Sequence, residues 1–478
     1  MSAAAAGLPD DLVSWMEEVG GGRVVLADRR PGGARKEAWF VDLKMADGTI
    51  ASCFLRYDRS DPAETKDPWT LHREATVYVA LQDGPVPVPR VLGVHPVHQA
   101  MLSERVEGGN WFSRIADPAE QEATARDFMT KLAALHSLRA SALDLPAFPT
   151  VTTVAGAVVA ELDEWQRMLA ARGGTPDPAL VFSLRWLRDH IPDYDGPPVL
   201  VQGDTGPGNF MYRDGRVTAV VDWELAHLGD PMDDIAWLSL RATQEPFTDL
   251  PTRLREYQAL SGNVIDEARV RYYQVMAETK LQVMSHRGPR ADDDDTDSGD
   301  SGDSGDSGDS GGDAGGNDVG NGFIYQVLHR RLWLEALAAA NGLELAPAEE
   351  PQARDPRDSD WMYDAVLTQL RDVIVPRTTD PLAQARGKGV ARIVKYLARV
   401  DTYGPSYEER ELQDLATLLG RPADSVVRGR ADAAAAVAAG TISEEDYIRV
   451  LWRRIARETE LARPAMGVLA DRHWPPLR

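Results

Sequence analysis

The chain has 478 residues, 43% of them apolar, enough for two or three domains with sizeable cores. Its 52 basic and 75 acidic residues give a formal charge of −23, which argues against nucleic acid as a partner, since phosphate contacts need a basic surface. There is no run of eighteen apolar residues, no basic stretch ahead of the alanines of MSAAAAGLPDDLVSW, and a single cysteine, Cys53; the expectation is a cytoplasmic protein with no membrane span, secretory signal or intrachain disulfide.

In chain order, residues 9–20 (PDDLVSWMEEVG) predict an amphipathic helix with Asp10 as its N-cap. Residues 21–57 alternate in the β manner. RVVLADRR, EAWFVDLKM and IASCFLRY read as three strands joined by PGGARK and ADGT, the start of an antiparallel sheet. TLHREATVYVAL is the next helix. PVPVPRVLGV (85–94) is an extended approach to a strand, and HQAMLSERVEG (98–108) is another strand running into a connection. Beyond residue 110 the pattern turns helical: Asp127 to Leu138, then 154–171 and 177–190, with His136, Trp165 and Trp186 in packing roles. Glu161, Asp163 and Glu164 form either an exposed acidic face, the commoner case, or a subsite for a cationic group.

The stretch from Val201 to Leu238 carries the chemistry. Gln202-Gly203-Asp204 opens a loop that Asn209 closes. Asp214-Gly215 is a hairpin turn signal, because an Asp-Gly pair accepts positive φ cheaply. The returning strand ends in Asp222-Trp223-Glu224. Asp204, Asn209 and Asp222 therefore sit at the ends of one hairpin. Phosphoryl transfer needs such a set: a carboxylate to orient the attacking hydroxyl, and an amide with a second carboxylate to hold magnesium against phosphates. Gly229-Asp230-Pro231 and Asp233-Asp234 follow; Asp234 either caps the next helix or bonds back to the loop. Residues 248–286 and 322–342 give further helices. Between them, residues 291–320 hold eleven aspartates in Ser-Gly-Asp repeats with nothing apolar to bury. They read as a disordered, solvated insertion lacking the apolar or Glu positions of calcium-binding repeats. After a Pro-rich, charged boundary near 345–358 the tail reads as all helix, with QARGKGVARIVKYLARV and SYEERELQDLATLLG as separate helices.

These motifs resemble the aminoglycoside phosphotransferase and choline kinase group. Its pattern of His-Gly-Asp, four residues, Asn, Asp-Trp-Glu, Gly-Asp-Pro and Asp-Leu-Ala stands here as Gln-Gly-Asp, Thr-Gly-Pro-Gly, Asn209, Asp-Trp-Glu, Gly-Asp-Pro and Asp-Ile-Ala. The resemblance implies an α+β, two-lobed protein-kinase-like fold. Residues 1–108 would be an N-lobe with an antiparallel sheet, and 109–348 a mainly helical C-lobe with the insertion 291–320. Residues 356–478 would be a small all-helical C-terminal domain, whose default role is docking to a second copy or another protein. ATP and Mg2+ are the implied cofactors. Asp204 would act on an acceptor hydroxyl, and Asn209 and Asp222 would hold metal. Gly32 and Gly33 would cover the ATP phosphates, Arg56 with Glu74 would position them, and backbone groups near Ser103 and Glu104 would read adenine. The wording of Asp-Trp-Glu and Gly-Asp-Pro most resembles kinase domains fused to acyl-CoA dehydrogenases, which implies a hydroxyacyl acceptor. Gln202 replaces the family histidine, mainly a brace for the loop. That substitution motivates the second reading, a pseudokinase or nucleotide-binding scaffold acting through its tail.

Overall fold

The computed structural model describes residues 7–30, 36–60, 68–286, 319–347, 349–350 and 352–478. The turn with Gly32 and Gly33, and the aspartate repeat through residue 318, lie outside them.

Helix α1 (Asp10–Gly20) begins one position earlier than expected. Pro9 takes the cap position, its carbonyl accepts from the Val13 N–H at 3.0 Å, and Asp10 is already helical. Its carboxylate then acts only through the helix dipole. The expected sheet follows: β1 (Arg23–Arg30), β2 (Lys36–Lys44), β3 (Ile50–Asp58), β4 (Val91–Val94) and β5 (Gln99–Glu104), antiparallel in the order β1-β2-β3-β5-β4. Alternation on β2 buries Glu37, Trp39, Val41 and Leu43. The apolar three meet Leu12 and Met16 of α1 and Leu55 and Leu102 of the sheet in a compact upper core. Helix α2 (Leu71–Leu81) starts at Thr70, whose hydroxyl accepts from the Arg73 N–H, and places Glu74 in its buried first turn.

The lower lobe is helical. It contains α3 (Pro118–His136), α4 (Val154–Ala171), α5 (Pro178–Asp189), α6 (Pro231–Gln244), α7 (Leu250–Ser261) and α8 (Glu267–Ser285). Two small sheets break the pattern: β6 (Val199–Val201) pairs with β9 (His227–Gly229), and β7 (Phe210–Arg213) with β8 (Arg216–Val220). Asp214 and Gly215 both have positive φ, 51° and 73°, as a tight hairpin matching the strand twist requires. Phe210 anchors the hairpin, its ring 4.6 Å from Phe128.

Beyond the lower lobe come α9 (Val319–Ala340), α10 (Trp361–Gln369), α11 (Pro381–Leu419), α12 (Val426–Ala438) and α13 (Glu444–Met466). The two helices expected between 384 and 420 are one helix of 39 residues that runs through Gly404 and Pro405. A helix-interior proline costs about 3 kcal/mol in isolation. Here α11 packs along α13, burying Tyr407 and Leu415, and tertiary packing overrides the local signal. The tail's buried residues join the lower-lobe core without a break. Asp177, the cap of α5, takes a two-pronged ion pair from Arg454, and Phe182 meets Tyr447 edge-on at 4.9 Å. Arg331 of α9 is buried and donates to the carbonyls of Leu469 (3.1 Å), Ala470 and Arg472. Arg331→Met is expected to leave these acceptors unpaired and lower stability by about 3 kcal/mol. Urea denaturation checks this; a loss below about 1 kcal/mol would show that water replaces the guanidinium there.

Candidate active site

The loop between β6 and β7 holds its shape through glycine and one buried carboxylate. Gly203 and Gly206 have φ of 82° and 143°. A Cβ on Gly203 would stand 2.4 Å from the Leu225 carbonyl oxygen, and one on Gly206 2.7 Å from Cβ of Arg241. Asp234, on the first turn of α6 and fully buried, accepts from the N–H groups of Gln202 and Gly203, both at 3.0 Å, and from the Thr205 hydroxyl. Its fourth partner is His136 Nε2 at 2.9 Å, and His136 is held in turn by Tyr257. Of the two roles open to Asp234, bonding back to the loop is the observed one. The cap of α6 is Asp230.

Asp204 is buried at the head of the loop. Arg241 reaches from α6 and grips both carboxylate oxygens, with Nε 2.7 Å from Oδ1 and Nη2 on Oδ2. Asn209 Nδ2 donates to the Asp204 carbonyl and to Oδ2, each at 2.7 Å. Burial pushes the Asp204 carboxyl above its ordinary range, against the pull of Arg241 and Asn209. Because its amide nitrogen serves Asp204, the Asn209 side chain keeps its carbonyl oxygen for another partner.

Asp222 closes the arrangement. Its φ is +61°, a left-handed conformation that Asp tolerates better than most residues. Its N–H donates to the Tyr78 hydroxyl of α2 at 3.1 Å. The Val221 N–H donates to the Asn209 carbonyl at 3.0 Å, which sets the two loops side by side. Gln202 Nε2 adds hydrogen bonds to the carbonyls of Val221 (3.1 Å) and Asp222 (2.9 Å), so glutamine itself ties the loops together. Asp222 Oδ1 is buried without a hydrogen-bond partner among the described residues. Burial pushes this carboxyl up to about 7, and the charges of Glu224, Glu74 and Asp204 add to the effect while Arg56 opposes it. An orphaned carboxylate oxygen on one loop and a free amide carbonyl on the adjoining one are both donors of the hard-oxygen type that magnesium takes.

Above these loops lie the cations. Arg56 of β3 is 3.8 Å from Glu74 of α2, the pair expected from the sequence. The same guanidinium is 4.0 Å from Glu224, and Lys36 of β2 is 2.6 Å from that carboxylate. Ala38 is the register partner of Arg56, so Lys36 sits diagonally across on the same face. Burial alone would lower the Lys36 pKa; Glu224 and Glu74 outweigh it and hold the ammonium above its ordinary value. Arg73 of α2 donates to the carbonyls of Glu224 and Ala226, fixing α2 to the lower loop.

Lys36, Glu224 and Arg241 had no role in the sequence reading. Lys36 was the last letter of a turn and Glu224 part of a motif; both signals were visible. Arg241 lies 37 residues from Asp204, and no spacing connects them. Ser103 is buried at the end of β5, with its hydroxyl directed at the Phe54 carbonyl at 3.4 Å. The Glu104 side chain is exposed, and its N–H is committed to the Arg90 carbonyl. Asp163 and Glu164 pair with Arg188 and Arg167. Glu161 belongs to a mostly buried cluster with His227 and Asp233, in which the Lys280 ammonium, 2.6 Å from Glu161, already supplies the cation. Two hollows of about 240 and 320 Å³, between α4 and α5 and between α5 and α12, lie away from these carboxylates.

A strand-borne cation paired to a helix glutamate, above a loop aspartate, an asparagine and a second aspartate, defines a phosphotransferase of the protein-kinase-like fold. The chain belongs to the phosphotransferase enzyme family, whose model matches residues 28–273, just over half of it. Among curated proteins it is similar to acyl-CoA dehydrogenase family member 11 of Homo sapiens, at 33% identity over 125 residues, and of Rattus norvegicus, at 34% over 125. Each match covers 26% of this chain and 16% of the relative, so the chain spans about a sixth of the proteins it matches. Among solved structures it is similar to macrolide 2'-phosphotransferase MphH from Brachybacterium faecium, with a TM-score of 0.41 and 19% identity over 57% of this chain and 92% of that one. No helix among the described residues is long and apolar enough to cross a membrane.

Proposed function

We propose that this protein transfers the γ-phosphoryl group of ATP to a hydroxyl of a small molecule, with magnesium, and that the acceptor is a hydroxyacyl compound. The observation that carries the reading is the convergence of Asp204, Asn209 and Asp222 with an unpartnered oxygen on Asp222. Asp204, fixed by Arg241, orients the acceptor hydroxyl and takes its proton. Arg56 and Lys36 receive phosphate oxygens, and Glu74 holds Arg56 in place. Magnesium, bound by Asn209 and Asp222, would neutralise charge on the β- and γ-phosphates. Support for the acceptor class comes from the likeness to acyl-CoA dehydrogenase family members, which is confined to a small part of those proteins. The scaffold reading rested on Gln202, and the hydrogen bonds of Gln202 to Val221 and Asp222 weaken that motive.

Thermal unfolding with ATP, with and without magnesium, tests the nucleotide site. Ligand at a hundred times its dissociation constant stabilises by roughly 2.7 kcal/mol, and the shift is expected only with magnesium. A screen of hydroxyacyl thioesters then follows, in which Asp204→Asn is expected to bind ATP yet transfer nothing. No shift at millimolar nucleotide would return the scaffold reading.

A further inference from the structure

The tail carries a surface that phosphoryl transfer does not use. Helix α10 continues through a π-helical turn (Leu370–Ile374) to Arg377, and over this length buries only Leu370. Trp361, Met362, Val366 and Ile374 are 63%, 53%, 45% and 50% exposed. On the neighbouring α11, Val390 and Leu397 are also about half exposed. Short helices owe their stability to a packed apolar face, and here much of that face is uncovered. The pair is nonetheless firmly placed. Arg354 binds Asp360 and Asp401 at its base. Gly387 admits the Val375 side chain near its tip, and Gly389 meets the backbone of Gly320 in α9.

The balance of charge differs between the two ends of this helical hairpin. The tip carries Arg377, Arg386 and Lys388 against Asp380, with Asp372 paired to Arg371, and residues 381–400 contain no acidic side chain. The base carries exposed Glu350, Asp355, Asp358 and Asp364 against Lys395 and Arg399, while Arg354 and Arg357 are paired with Asp360 and Asp401. We propose that two copies of this chain associate through the hairpin, antiparallel about a two-fold axis. Each basic tip then lies on the partner's acidic base, and the apolar stripes cover one another. The exposed apolar side chains amount to on the order of 500 Å² per copy, hence about 1,000 Å² in the pair, the size at which stable interfaces begin.

Sedimentation velocity over a concentration series of the full chain tests this. Wild type is expected at twice the chain mass. Trp361→Glu with Val366→Glu is expected to raise the dissociation constant at least a hundredfold; both positions are exposed, so circular dichroism should not change. Lys388→Glu is expected to weaken association about tenfold, and Asp364→Lys added to it to restore most of the loss. A wild type that sediments as a monomer at every concentration overturns the proposal, as does a Trp361/Val366 variant that keeps the dimer mass. Failure of the second charge change to restore association overturns the antiparallel register.

Discussion

Replacing Asp234 with alanine is expected to destabilise the protein by about 3–5 kcal/mol and to abolish any magnesium-nucleotide shift. The side chain is wholly buried and collects four donors from the loop and from α3. Alanine leaves two backbone N–H groups, a hydroxyl and an imidazole without an acceptor, in a space that a methyl group does not fill. Each unsatisfied buried group costs about 1–3 kcal/mol, reduced by whatever relaxation and water the cavity permits. Asp234→Asn keeps one oxygen acceptor and should fall between the two. Denaturant midpoints measure the stability term, and a loss under about 1 kcal/mol would mean that the loop holds its shape without this carboxylate.

Asp222→Asn should act in the opposite direction. With the folded carboxyl pushed up to about 7 against an ordinary value of 3.8, the metal-free folded state holds a proton that the unfolded chain has lost. The cost to stability is absent below pH 3.8, grows as pH rises from there towards 7, and stays in full above it. Asparagine removes that cost. The variant should therefore be more stable than wild type at pH 8 by on the order of 2 kcal/mol, a figure reduced because the side chain is partly exposed. At pH 4 the difference should nearly vanish. Magnesium binding is expected to show the reverse. Magnesium needs the ionised carboxylate, so in wild type its apparent affinity should fall about tenfold per pH unit below 7, and in the variant it should be largely lost. Equal stability of the two proteins at pH 8 would remove the argument that this oxygen lacks a partner.

Much of this was legible in the sequence because the chemistry is local there. The Asp-Gly turn, the span of five residues from Asp204 to Asn209 and the strand ending at Asp222 are short-range signals, and the hairpin follows from them. Arg56 and Glu74 were legible through the order of strand and helix, which the sheet register reproduces. What could not be read is what tertiary packing decides. Arg241 meets Asp204 only because α6 runs beneath the loop and Gly206 makes room for its stem. The long α11 overrode a Gly-Pro pair through its contact with α13. The union of tail and lower-lobe core likewise rests on ion pairs such as Arg454 with Asp177, 277 residues apart.

Glu224 gives the cleft a further property. Its carboxylate belongs to the lower lobe, yet it sits against Lys36 and near Arg56 of the upper lobe, as a built-in counter-ion where phosphate oxygens are proposed to lie. A nucleotide bound as proposed would exchange one anion for another rather than neutralise bare cations. Such an exchange reduces the energy gained on binding, and it keeps two lysine and arginine side chains gathered in a chain whose net charge is −23. It also makes the same carboxylate a hinge tie. On the proposed reading, a phosphate entering the cleft would compete with this tie for the same two cations.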